Sequence, residues 1–120
     1  MGTRELFARR SGKRETAVVQ VGGEDVLLQA LTFAERAAIQ GAYRDADGKN
    51  LDETSPQKRQ TLYVARSVVT PDGLAVFSES DADLALIAAM PAIDMDALND
   101  GIMALNFAET EKNSTPPKNG

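Results

Sequence analysis

A chain of 120 residues suits one domain with one core, since a domain of this size buries roughly two-thirds of the surface its unfolded chain exposes. Cysteine and histidine are both absent, which excludes a disulfide framework and thiolate zinc sites and removes the commonest metal ligand and the commonest general base. The net charge of −5 is unevenly placed: residues 1–15 hold Arg4, Arg9, Arg10, Lys13 and Arg14 against Glu5 and Glu15, so this segment is +3 and the remainder −8.

Residues 1–14 therefore read as a basic flexible arm ahead of a single domain over residues 15–108. Such an arm is drawn to phosphate or to an acidic protein surface, an attraction that salt weakens. Nucleic acid is disfavoured as its partner, because Phe7 is the arm's one aromatic platform and the acidic body repels a polyanion. The segment MGTRELFARRSGKRE has no hydrophobic signal stretch, and Leu6 stands where myristoylation favours serine or threonine. No apolar run approaches the roughly 20 residues needed to cross a bilayer, so a soluble cytoplasmic protein without membrane contact is the expectation.

The first ordered element is TAVVQV, residues 16–21, rich in β-branched valine. A second run over residues 25–31 follows Gly22-Gly23, a pair that supplies the positive φ angles of a tight hairpin turn. A lone hairpin is marginal in water, so it must lay one face on other elements. Thr32 with Glu35 forms a capping box that starts a helix running to about Arg44, with Leu31 stapled near Arg36 and with Ala38, Ile39, Ala42 and Tyr43 as its apolar edge. The polar stretch DADGKNLDETS, residues 45–55, lacks calcium-loop spacing: counted from Asp45, Asn50 and Pro56 stand where glycine and glutamate are required.

Ser55-Pro56 opens a second helix, serine as cap and proline at the first position, reaching about Val69 with Leu62, Ala65, Val68 and Val69 on one face. Thr70-Pro71-Asp72-Gly73 stops it with a turn. Residues 74–77 have room for a brief third strand on the hairpin, and with or without it they deliver Val76 and Phe77 to the core. Ser78 or Ser80 caps a short helix in which Leu84, Leu86, Ile87 and Met90 make every side apolar, predicting the most enclosed helix of the set. Pro91 ends it, and Asp94 opens the last helix, whose core stripe is Met95, Leu98, Ile102 and Leu105. From Glu109 the chain has no core-forming content and is expected to be a disordered tail over residues 109–120. The fold class is thus α+β, mostly α, with an N-terminal β-hairpin packed on a bundle of about four helices.

Met103 and Phe107 do not fit the last helix's stripe. Four apart, they project well away from it and share the outer side with Asp96 and Asp100. Two large apolar groups there need a cover. Either the N-terminal arm supplies it through Leu6 and Phe7, or another protein's helix docks on the pair, with Met103, Phe107, Asp96 and Asp100 as the contact residues. Catalysis has little to work with. Glu24 and Asp25 sit at a hairpin tip, Asp81, Asp83, Asp94 and Asp96 near helix starts, and no phosphate-binding or nucleophile motif occurs. No catalytic, cofactor or metal residue is assigned.

Several pieces of the sequence resemble the small tail assembly chaperones of long-tailed, siphovirus-type bacteriophages. They are Leu31-Thr32-Phe33 with Glu35, the Pro71-Asp72-Gly73 turn ahead of Val76-Phe77-Ser78, and the closing Leu105-Asn106, within a similarity spanning residues 18–107. The resemblance implies a non-enzymatic role in virion morphogenesis in the cytoplasm of the host. It implies two partners: the tape-measure protein, whose apolar helices are kept from aggregating, and the tail-tube protein, which is recruited to it. It also implies departure before the virion matures, and in some members a frameshifted extension, which would join here near Glu109. Two other classes stand beside it: a small nucleic-acid-binding regulatory protein that uses the basic arm, and an adaptor that folds as a homo-oligomer.

Overall fold

The structure, a computed structural model, describes residues 2–114, with side chains as far as Phe107. Among these residues it is an α+β fold, mostly helical, with five helices and a three-stranded antiparallel sheet of order β1-β2-β3. The sheet starts from the predicted hairpin. Gly22 and Gly23 take φ of 59° and 82°, the two successive left-handed residues that a two-residue turn needs to match the twist of its strands. This sets the register of β1 (Thr16–Val21) against β2 (Glu24–Gln29), with Val21 opposite Glu24 and Val18 opposite Leu27. Ala17, Val19 and Val21 turn inward, whereas Thr16, Val18 and Gln20 stay exposed.

Where residues 1–14 are expected as a flexible arm, the structure has a helix, α1 (Thr3–Arg10), followed by a turn that ends in an anchor. Good helix formers fill α1, and Glu5 in its first turn and Arg9 and Arg10 in its last complement the helix dipole. The anchor is Arg14, whose guanidinium donates to both carboxylate oxygens of Glu35, at 2.9 and 3.2 Å, and to the Ala30 carbonyl at 3.3 Å.

The capping box forms as read: Thr32 Oγ1 accepts from the Glu35 N–H, and Glu35 Oε1 accepts from the Thr32 N–H. The helix it starts, α2 (Phe33–Gly41), ends before Arg44 because Ala42 turns extended and Tyr43 takes a left-handed φ of 61°. Helix α3 (Ser55–Ser67) has Thr54, not Ser55, at its cap position; Ser55 is buried and its Oγ accepts from the Asp52 N–H. Val68 and Val69 then leave the helix as β3 (Val68–Val69), paired with Leu28 and Leu27. The third strand is therefore this pair and not residues 74–77, of which Ala75 alone bridges, to Val69.

Helix α4 (Asp81–Ala88) is capped by Ser80, while Ser78 donates to the Asp83 carboxylate through both its N–H and its hydroxyl. The expected enclosure does not hold. Helix α4 packs chiefly on α3, so Ile87 is buried and Leu86 is left 61% exposed. Phe77 reaches the core, but Val76 remains half exposed. Helix α5 (Ala92–Ser114) begins just after Pro91, two residues ahead of Asp94, and its backbone continues past Glu109; residues 115–120 of the expected tail lie outside the described residues. Its predicted stripe meets the core as read, with Leu98 and Ile102 buried and Met95 and Leu105 packed beside them.

The main core gathers Leu28, Val64, Ala65, Val68, Ile87, Leu98 and Ile102, and a smaller cluster joins Leu31, Ile39 and Leu62. Asn106 binds the two regions: its Oδ1 accepts from the Leu31 N–H at 2.8 Å, and its Nδ2 donates to the Ile102 carbonyl at 2.8 Å. No helix among the described residues is long and apolar enough to cross a membrane.

Glu35 joins three segments, since Arg66 also lies 3.8 Å from its carboxylate. Burial pushes this carboxyl up, but the Arg14 hydrogen bonds, the Thr32 N–H and the Arg14 charge outweigh it and hold Glu35 below its ordinary value. A lowered folded-state value means the contribution is complete above the ordinary carboxylate range and is lost as pH falls through the folded-state value. Glu35→Gln should cost about 1–2 kcal/mol at neutral pH. Urea titrations of both proteins at descending pH should show that difference closing as Glu35 protonates; a gap that stays constant into acid would refute the charge-based account.

Candidate partner-docking site

The four residues singled out on α5 do not form one site. Met103 is 43% exposed, whereas Phe107 is half-buried within its own fold. The Arg36 guanidinium stacks 4.1 Å from the centre of the Phe107 ring, and Tyr63 meets that ring edge-on at 6.4 Å and 76°. Arg36 is steadied by donating to the Asn106 carbonyl at 3.1 Å. The cover for Phe107 thus comes from α2 and α3. Leu6 and Phe7 of α1 remain exposed, so the arm is not what covers the pair.

Met103, Phe107, Tyr63 and Ile102 line a groove of about 410 Å³ between α3 and α5. Its polar rim includes Arg44, Arg59, Gln40 and Gln60. Arg59 donates to the Ala42 carbonyl at 3.0 Å and to Asn50 Oδ1 at 2.6 Å, and Arg44 Nη1 donates to the Gly48 carbonyl at 3.0 Å. The polar loop between α2 and α3 therefore positions two cations over an apolar floor. Asp96 lines the next groove along, beyond Gln60, and Asp100 is exposed on the surface. An apolar floor with a cationic rim accepts an amphipathic segment that carries carboxylates beside its apolar face.

A larger opening went unrecognised in the sequence. Under the hairpin tip the core is not closed, and a groove of about 550 Å³ enters it. Val21, Val26, Phe77 and Met90, all half-buried, form the walls; Val64, Ile87 and Leu98 form the floor. Val18, Pro71 and Val76 stand exposed at the rim, and Asp25 is the one ionisable residue lining it. A signal was present. TAVVQV and EDVLLQ place valine and leucine on both faces of their strands, where a sheet with one wet face would alternate with polar residues.

Of the carboxylates that are shifted, Asp52 is held down by the Thr54 hydroxyl and N–H and Asp83 by the Ser78 N–H and hydroxyl, both in the same direction as Glu35. In the loop after α2, Asp45 Oδ1 accepts from the Asp47 and Lys49 N–H groups at 2.9 and 3.0 Å, and among the described residues no three acidic side chains converge as a metal site.

No protein-family model, curated protein or solved structure matches this chain.

Proposed function

We propose that this protein is a tail assembly chaperone of a long-tailed bacteriophage, acting without catalysis in the host cytoplasm. It holds helical segments of the tape-measure protein, helps bring tail-tube subunits to them, and leaves before the virion is complete. The observation that carries this reading is the α3–α5 groove, where Met103 and Phe107 meet Tyr63 under a rim containing Arg44 and Arg59. A groove of that size takes one face of an amphipathic helix, and a shallow contact of this kind engages many similar segments weakly instead of one tightly. Transient handling of a long partner needs such weakness. The acidic body adds to the support, because net charge opposes self-aggregation while apolar side chains remain uncovered.

The test is co-expression with a helical fragment of the neighbouring tape-measure gene. The fragment should be recovered soluble with this protein and not without it. Met103→Ser changes an exposed side chain and should weaken capture by about tenfold while leaving the urea midpoint in place. Phe107→Ser is the less clean variant, because it also removes the Arg36 and Tyr63 contacts. A fragment no more soluble with the protein than alone would remove the reading.

A further inference from the structure

We propose that the α3–α5 groove takes an acidic helix, whose carboxylates settle between Arg44 and Arg59 while its apolar face lies on Met103 and Tyr63. This rests on the reading of the groove as a docking site and adds the chemistry of what docks there.

Asn50 brings the two arginines together. Its Oδ1 accepts from Arg59 Nη2 at 2.6 Å and lies 3.5 Å from Arg44 Nη1, so these two nitrogens are no more than about 6 Å apart. Every other acceptor they hold is a backbone carbonyl: Arg59 Nη1 donates to Ala42 at 3.0 Å, Arg44 Nε to Gln40 at 2.6 Å and Arg44 Nη1 to Gly48 at 3.0 Å. Among the described residues neither arginine has a carboxylate partner, and the ion pairs present belong to Arg14 and Arg66. Neutral acceptors fix where the two charges sit and leave them uncancelled. Like charges this close repel, and a carboxylate between them relieves the repulsion while gaining charge-assisted hydrogen bonds. Arg44 is exposed on the rim, so the pair can be reached from solvent.

The walls of the groove indicate that the acid arrives on a helix. Pro56, Arg59 and Tyr63 line one side from α3, and Asn99, Met103 and Phe107 line the other from α5. Both sets recur at helical spacing over about two turns, roughly 12 Å. Ridges so spaced receive the ridges of a third helix, and residues four apart on that helix place two carboxylates on one side. The chain's own end does not match this chemistry, since Lys118 is the one charged residue beyond Ser114.

Three synthetic helical peptides of about 18 residues test the proposal, sharing one leucine stripe and carrying glutamate, glutamine or lysine beside it. In fluorescence anisotropy the glutamate peptide should bind about tenfold more tightly than the glutamine peptide, and the lysine peptide least. Added salt should narrow that margin. Arg44→Gln and Arg59→Gln should each narrow it too, whereas Met103→Ser should weaken the glutamate and glutamine peptides alike. Both arginines also hold backbone carbonyls, so the urea midpoint checks that each variant folds, and the comparison of peptides on the unaltered protein needs no variant. Equal affinity for the glutamate and glutamine peptides overturns the proposal, and a loss at Met103→Ser would then keep the groove as a docking site for a neutral helix. Binding of none of the three overturns it as well, and co-expression with the tape-measure fragment decides separately whether the docking reading stands. Self-association that Arg44→Gln abolishes would assign the groove to a second copy and equally overturn the proposal.

Discussion

Leu28→Ala is expected to cost about 2–5 kcal/mol, a large share of the roughly 5–15 kcal/mol that holds a domain of this size together. Leu28 is fully buried in the central strand of the sheet, with Ala17 opposite on one side and Val68 on the other. Its methyl groups reach α5, where Gly101 leaves room for them. Truncation removes three carbons from between a hydrogen-bonded strand and a long helix, two backbones that cannot collapse into the space. The transfer loss therefore carries a cavity cost with it. Urea unfolding should show a lower midpoint with an unchanged slope. Val18→Ala, on the exposed face of the neighbouring strand, should stay within about 0.5 kcal/mol of wild type. Equal losses at the two positions would mean that the sheet buries a different face.

The second large effect is at Gly101. A Cβ there would lie 2.6 Å from Val19 Cγ2 and 2.8 Å from Leu28 Cδ1, closer than side-chain carbons approach. Glycine inside a helix costs about 0.5–1 kcal/mol relative to alanine, so its presence in α5 is the cost of laying this helix directly on β1 and β2. Gly101→Ala sets that propensity gain against displaced methyl groups. Gly101→Val adds two further carbons and should cost about 3 kcal/mol or more, because α5 must lift from the sheet. Combining Gly101→Ala with Leu28→Ala separates the terms. The vacated Leu28 volume should absorb the new methyl, and the pair should be less damaging than the two changes added by about 0.5–3 kcal/mol. Strict additivity would show that the two residues do not share this contact.

The features legible in the sequence share one property: their partners lie within a few residues. The Gly22-Gly23 turn needs its own φ angles, the Thr32/Glu35 box closes over three residues, and the stripe Met95, Leu98, Ile102 and Leu105 follows from helix pitch alone. The same periodicity isolated Met103 and Phe107 as misplaced apolar groups. It could not tell that Arg36 and Tyr63 cover one of them while the other opens onto a groove rimmed by Arg44 and Arg59, since those residues come from α2, α3 and the loop between them.

Four of the departures involve distant partners. Val68 and Val69 fit a helix end or a strand equally well by composition, and the free backbone groups of Leu27 and Leu28 decided for the strand. Leu86 reads as core, yet α4 packs chiefly on α3, so its outward side stays wet. Arg14 reads as part of a loose arm until Glu35, 21 residues on, is placed beside it. The hairpin-tip groove exists because Val21 and Val26 lean over a core that α4 and the turn after β3 leave unclosed. Hydrogen bonds and dihedral preferences act along the chain and are written in neighbouring letters. Which apolar face is covered, and which is left for a partner, is a property of packed volume, and volume is settled when remote segments meet.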